Sequence, residues 1–443
     1  MINLFENFDR DTLDLLRSQK TAGFNIPTVV INDDGFLPKD VTSPINHYCE
    51  FDNIENPLYF DKLPVPKFWR IEATAQSGII YDIDRRRADI YFHKVDNSRL
   101  VKQVNWLDES GKIAWSDHYN HSGQKYAKTI YYNGNPVLKK FFNKAGKVVI
   151  IEHLVSGDID LYENHQQIHF NDIVDFIIYY LKSNNYQLDH ILYNNLNVPF
   201  RVSIRLDQPG RDTLFWHESW QPEMPGNMQY IINNSTRTKH IIIQRYRDWT
   251  KTKELVKLNQ QNVDFHYLGM IYPHPRGNRL SSNALITTNS DQIEHLDEIL
   301  QAMPNLHFNI VATTQMSDKL LAYAKYSNVD LYPVASYQKI KNLLSDCDVL
   351  FDINHGPELL DTVRAAFEQN MLIVSFKDTI HSPRYISPGN IFDTKEITQM
   401  EQKITTALNS VEVMKKIIDT QRIDASEVTI DQYKRTLKII SKT

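Results

Sequence analysis

Residues 349–376 read VLFDINHGPELLDTVRAAFEQNMLIVSF. An apolar run, VLFDIN, stops at a polar loop. A segment with helical spacing follows from Leu360 to Gln369, and a second apolar run, MLIVSF, closes the stretch. Strands buried on both faces read as continuous apolar runs, and two of them joined by a helix make a βαβ unit of a parallel sheet. The same texture extends upstream. KHIIIQ from Lys239, FHYLGMIY, ALITTNS, HFNIVAT and VDLYPVA read as strands, and helices are expected over Asp248 to Gln261, Gln292 to Met303, Ser317 to Ser327 and Tyr337 to Ser345. This alternation predicts an α/β, Rossmann-like domain over 239–393, followed by a charged helical segment over 394–443. In that segment VEVMKKIIDTQRI offers an apolar face of Val413, Ile417 and Ile418.

The first part of the chain divides differently. The N-terminal segment reads as a helix, with Leu13, Leu15 and Leu16 on one face, and then a strand, NIPTVVI, ending in the turn Asn32-Asp33-Asp34-Gly35. From Tyr48 to Phe170 no long helical period appears. Gly111, Gly123, Gly134, Gly146 and Gly157 recur at intervals of 11 or 12 residues, between runs such as QKYAKTIYY and KVVIIEHL. Turn residues at that spacing predict an antiparallel meander over 48–170. A helix over Asp172 to Lys182 and strands HILYNN, FRVSIRL and TLFWHES then resume the α/β pattern. Residues 1–47 and 171–238 therefore form one discontinuous Rossmann-like domain, interrupted by the meander.

Composition narrows the function. The chain has 443 residues, 49 basic and 54 acidic side chains and a net charge of −5. That balance argues against general nucleic-acid binding, which needs clustered cations. Two cysteines almost 300 positions apart give no disulfide framework and point to the cytoplasm. The start, MINLFENFDRDTLDLL, has no basic region and apolar core of a secretory leader. The longest apolar run, FIIYYL, falls far short of the roughly 20 residues of a membrane span, so any membrane contact is peripheral. No G-x-G-x-x-G and no P-loop motif occurs, so neither a dinucleotide nor any other cofactor is expected. Asp117-His118-Tyr119-Asn120-His121 has metal-binding residue types, but it falls on a strand–turn–strand and reads as a polar strand end. No metal is expected. Arg85-Arg86-Arg87 reads as a solvated turn between two strands.

Parallel α/β sheets bind ligands at the carboxyl ends of their strands. Asp352-Ile353-Asn354-His355-Gly356 follows such a strand. Asn289-Ser290-Asp291, Ser317-Asp318-Lys319 and His381-Ser382-Pro383 follow three others and would share its rim. Each Ser or Asp could also serve as a helix N-cap. Together they make Asn289, Asp291, Ser317, Asp318, Asp352, His355 and Ser382 the candidate contact residues.

Asn32-Asp33-Asp34-Gly35-Phe36-Leu37-Pro38, Pro57-Leu58-Tyr59-Phe60, Asp117-His118-Tyr119-Asn120, Pro225-Gly226-Asn227-Met228-Gln229, Thr288 to Glu294, Met316 to Leu320, Asp352 to Gly356 and His381-Ser382-Pro383 occur in that order. Together they resemble the stabilising, or chaperone, subunit of the bacterial accessory-Sec peptide O-N-acetylglucosaminyltransferase. The resemblance implies a glycosyltransferase B fold, two Rossmann-like domains with an inserted β-meander. It implies a hetero-oligomer with a catalytic glycosyltransferase subunit. It also implies a serine-rich repeat polypeptide as acceptor, glycosylated on Ser and Thr in the cytoplasm before export, which this subunit helps to bind; the rim position of the residues above makes the inter-domain cleft the expected place. Active retaining relatives carry two glutamates separated by seven residues. Setting Ala365-Ala366-Phe367-Glu368-Gln369-Asn370 against the second of them places Ala365 and Pro357 at the two acidic positions, so no catalytic residue is expected. The competing reading is an active retaining UDP-sugar-dependent enzyme working through Glu358 or a rearranged site. A wall-teichoic-acid-type glucosyltransferase, which also needs the glutamates, ranks last.

Overall fold

The computed structural model describes residues 1–52, 56–74, 76–93, 99–218, 224–255 and 262–442, and the chain divides into two compact units. The expected helix over Asp248 to Gln261 is seen as Tyr246–Leu255; its expected end, from residue 256, lies outside the described residues, as does the last residue of TLFWHES.

Unit one spans Met1–Ile242, Lys257–His266 and Ile440–Thr443. Its first sheet has the order Asp264–Tyr267, Thr238–Ile243, Asp212–Trp216, Ile191–Tyr193, Ile2–Phe5, Thr28–Val30. Ile2–Phe5 pairs in parallel with Thr28–Val30 and with Ile191–Tyr193, which pairs in parallel with Asp212–Trp216. The reading of helix-then-strand therefore missed a strand: INLF precedes the helix Arg10–Thr21 and lies inside the sheet. Four residues are too few to show a period. The polar Asn3 within them is buried because its side-chain amide exchanges two hydrogen bonds with Gln19, at 2.7 and 3.0 Å, which removes the desolvation cost.

FRVSIRL is a second difference. Its strict alternation reads as a strand, yet Val198–Arg205 is a helix with Pro199 in its first turn. Tertiary charge decides the outcome. Helical spacing brings Arg201 and Arg205 onto one face, where both donate to Asp172, each at 2.7 Å, while Asp172 caps the helix Ile173–Ser183.

The ten-stranded sheet is antiparallel throughout and follows the chain from Trp69–Ala73 to Gln166–Phe170. The expected glycines stand in its hairpins at positive φ. The Arg triplet opens the strand Arg85–Phe92 rather than forming a free turn. The sheet rests on two cores. Its last five strands contribute Tyr126, Ala127, Phe141, Ile150 and Leu161 to one core with Ile2, Leu4, Val29 and the helix Ile173–Ser183. Its first five strands rest on a smaller core of Ile80, Ala88, Ile90, Val101, Val104 and Tyr119.

Unit two spans Ile243–Val256 and Tyr267–Ile439. Its six-stranded sheet has the order Val329–Tyr332, His307–Val311, Asn283–Thr287, Val349–Asp352, Leu372–Phe376, Ile391–Phe392, and every pair is parallel. Helices Ile397–Leu408 and Val411–Asp424 bury Met400, Ile404, Met414 and Ile418 in the core of this sheet, with Val413 and Ile417 packed at its margin. The α/β class with two Rossmann-like sheets and an antiparallel insertion holds. Among the described residues no helix is long and apolar enough to cross a membrane.

Candidate functional site

Counted along the chain, the strands of the unit-two sheet stand in the order 3-2-1-4-5-6. The chain leaves Asn283–Thr287 toward one side and Val349–Asp352 toward the other, so a crevice opens between their carboxyl ends. The register Thr287↔Val311 and Asp352↔Ser375 puts the four loops of the expected rim on one edge.

The crevice is laced by its own side chains. Asn354 Oδ1 lies 3.0 Å from the Thr288 hydroxyl and accepts from the Gly356 N–H at 3.1 Å. A Cβ on Gly356 would come within 3.1 Å of Ser290 Cβ, so the two loops meet where a side chain would separate them. His355 is exposed and its Nε2 lies 2.5 Å from a Glu294 carboxylate oxygen. Asn289 accepts from the Thr313 N–H and hydroxyl, at 3.2 and 2.9 Å. Ser317 caps the helix Asp318–Leu321 and also donates to Asp291 at 3.1 Å. Asp318 is exposed in the first turn of that helix. The rim thus joins Asn289, Asp291 and Ser317 on one side and sets Asp352, Ser382 and His355 on the other.

Asp352 differs from the other candidates because it is buried. His381 donates to it twice, from Nδ1 at 2.5 Å and from the backbone N–H at 3.0 Å, and sends Nε2–H to the Gly356 carbonyl at 2.6 Å. With an acceptor on each ring nitrogen the imidazolium is favoured. The Asp352 hydrogen bond, the Gly356 carbonyl and the nearby Asp352 and Glu358 charges together lift the His381 pKa to about 9 against partial burial. His381 was noted in the sequence only as part of a rim motif. Its partners lie 29 and 25 residues away, a separation no local pattern reveals.

Pro357 and Ala365, which the resemblance sets against the two glutamates of active relatives, are exposed and half-buried respectively. Glu358 accepts the Val363 N–H at 3.0 Å through one oxygen and the Ser382 hydroxyl at 2.7 Å through the other. It supplies the cap of the helix Thr362–Glu368, where the N-cap residue Asp361 stands at φ 51° and makes no side-chain cap bond.

Unit one holds a cleft of about 450 Å³ that the sequence did not locate. Asn7 and Asp9 reach it from the loop after the first strand, Asn32 to Asp34 from the loop after the second, and His93, Lys102, His118 and Lys139 from the meander. Lys102 pairs with Asp34 at 2.7 Å, and His93 stacks on Phe36 at 4.0 Å between centroids. Burial pushes His118 down to about 3, lowers the Lys139 pKa and raises Asp33 to about 6. Gly35 O accepts the His121 N–H at 2.9 Å, which brings the Asn32–Pro38 and Asp117–His121 motifs together beside this cleft. Asp117 accepts from the Trp106 indole at 2.9 Å and His118 bonds Thr129 at 2.9 Å, as a polar strand end.

Family models match along the chain: the GtfB N-terminal domain at residues 2–48, the GtfB middle domain at 69–171, the GtfB third domain at 173–255 and the GftB/GlyA-F C-terminal domain at 284–421. The UDP-N-acetylglucosamine–peptide N-acetylglucosaminyltransferase stabilizing protein GtfB of Limosilactobacillus reuteri subsp. suis is 49% identical over 438 residues, 99% of each chain. Its Streptococcus gordonii counterpart is 40% identical over 443 residues, covering 99% of this chain and 98% of its own. A chain solved in a GtfA/B complex bound to UDP and GlcNAc superposes with a TM-score of 0.94 at 40% identity over 99% of both chains. With this identity sustained from end to end, the chain belongs to the family of GtfB stabilizing proteins of UDP-N-acetylglucosamine–peptide N-acetylglucosaminyltransferase.

Proposed function

We propose that the chain is a non-catalytic subunit that assembles with a GtfA-type glycosyltransferase, stabilises and activates it, and helps to hold a serine-rich repeat polypeptide while N-acetylglucosamine is transferred to Ser and Thr. The observation that carries this reading is the state of the acidic positions. Pro357 and Ala365 offer no carboxylate, and Glu358 is engaged on both oxygens as a helix cap. Retaining transfer needs charge placed to stabilise a departing nucleotide, and a carboxylate fixed on a backbone N–H and a hydroxyl is not free for that work. The reading as an active enzyme through Glu358 therefore loses the one residue it names.

In this reading the peptide meets the exposed groups of the rim, Asn289, Ser317, Asp318 and His355, with Asp291, Asp352 and Ser382 holding the loops. The family's long polar acceptor suits many weak hydrogen bonds more than one deep pocket. The subunit works in the cytoplasm, with any membrane contact peripheral. Its working division is 1–47 with 171–238, the meander 48–170, 239–393 and the helical segment 394–443, amended at one boundary: the strands Thr238–Ile243 and Asp264–Tyr267, expected in the second domain, belong to the first sheet. The test is transfer from UDP-N-acetylglucosamine to a serine-rich peptide, with this chain alone, the partner alone, and both. Transfer is expected at full rate only with both. Transfer by this chain alone would overturn the proposal.

A further inference from the structure

Outside the sites above, unit one gathers three potential metal ligands at one place. His240 lies on Thr238–Ile243, and Asp264 and His266 lie on the neighbouring edge strand Asp264–Tyr267. Positions two apart on a strand point to the same face, so Asp264 and His266 present their side chains together. One ligand atom from each of the three residues falls within 4.8 Å of the other two. His240 Nδ1 lies 3.3 Å from His266 Nε2 and 3.9 Å from Asp264 Oδ2.

These separations fit a tetrahedral ion. Zinc bonds of about 2.0–2.1 Å at tetrahedral angles place ligand atoms roughly 3.3–3.4 Å apart. The histidine pair already has that spacing. Asp264 is exposed, so its carboxylate is free to rotate and shorten the 3.9 Å that separates it from His240. His240, in contrast, is buried and held in place by the sheet. A buried nitrogen aimed at a second imidazole nitrogen must share one proton with it; a cation accepts both lone pairs at once. Two imidazoles and one carboxylate are the donor set of a borderline transition ion rather than of calcium or magnesium, which take oxygen ligands.

We infer that His240, Asp264 and His266 form a zinc-class divalent cation site that clasps the edge strand Asp264–Tyr267 to its neighbour. Three protein ligands leave a fourth position for water. The site shares no residue with the rim or the cleft, and its role is to pin an edge strand that has one hydrogen-bonded neighbour.

The test uses the full chain stripped with a chelator and titrated with Zn²⁺ by calorimetry, with Co²⁺ as a visible-absorption probe. One equivalent is expected to bind, with an intense tetrahedral Co²⁺ spectrum and a rise in Tm. His266→Ala and Asp264→Asn change a half-buried and an exposed residue, so both should fold, as circular dichroism will check. Each is expected to weaken binding at least tenfold and to abolish the Tm rise. His153, His169 and Asp160 form another His-carboxylate group, so His153→Ala serves as the control and is expected to leave binding unchanged. Absence of Zn²⁺ binding, or binding that survives both site variants, would overturn the inference.

Discussion

His381 and Asp352 form a two-point clasp: the ring Nδ1 and the backbone N–H of His381 donate to the two carboxylate oxygens of Asp352, at 2.5 and 3.0 Å. Because Nε2 also donates to the Gly356 carbonyl, one residue ties together the loops after two adjacent strands.

The clasp makes stability depend on pH in a defined direction. The folded pKa of His381 is raised to about 9 from an ordinary 6.5. Its contribution is therefore complete below about pH 6.5 and is lost as pH rises through about 9. A charged hydrogen bond of this kind contributes on the order of 2 kcal/mol. Wild-type chain is expected to exceed His381→Gln in Tm by most at the acid end of that window. Thermal melts across the window check this, and a difference that stays constant with pH counts against the clasp.

Glu358 is expected to behave as a cap and not as a catalyst. Glu358→Gln keeps an oxygen for the Val363 N–H and should leave both stability and transfer by the assembled complex near wild type. Glu358→Ala should lower stability by about 1–2 kcal/mol, as lost caps do. Transfer that disappears in a fully folded Glu358→Gln complex would return the residue to catalysis.

Two glycines at nearly the same φ separate backbone strain from crowding. Gly111 stands at φ +83° with open space around it, and Gly35 at φ +87° with Asn120 Cα 2.9 Å from where a Cβ would be. Gly111→Ala should cost about 1–2 kcal/mol for the left-handed backbone alone. Gly35→Ala should cost a further 1–3 kcal/mol or so, because backbone has to move. Denaturant melts of the two variants give the difference directly, and equal costs would mean that the two motifs do not press on each other.

The meander carries large apolar side chains in the open, among them Phe68 at 87% and Tyr132 at 70% exposure. Large exposed aromatic side chains of this kind are candidates for contact with a partner. Phe68→Ser with Tyr132→Ser is expected to weaken assembly with the glycosyltransferase partner at least tenfold while leaving Tm unchanged. Unaltered affinity in a biosensor or calorimetric titration would move the interface elsewhere.

How far these features could be read in advance follows from their range along the chain. Runs such as VLFDIN and MLIVSF announce a parallel sheet because both faces of its strands are buried. The hairpin glycines announce the meander because its loops demand positive φ. FRVSIRL misled because Asp172, almost 30 residues earlier, rewards the helical arrangement of Arg201 and Arg205. The rim loops were legible as strand ends, but their bonding was not: what sets Asp352 apart is its burial under His381. The unit-one cleft draws on three separate stretches, and His240 meets His266 from 26 positions away with no local motif to mark them.

The two cores of the ten-stranded sheet have a thermodynamic consequence. Strands that share the large core unfold only with it, while those on the small core can open alone at lower free energy. Amide exchange should therefore run fastest in the hairpins between Trp69 and Tyr119. A partner that binds only the closed form of that half raises its opening free energy by RT ln(1 + c/Kd), with c the free partner concentration. Linkage then requires the effect to be mutual. A stabilising subunit that bound its partner through this half of its meander would itself be stabilised by the same contact, and by the same free energy.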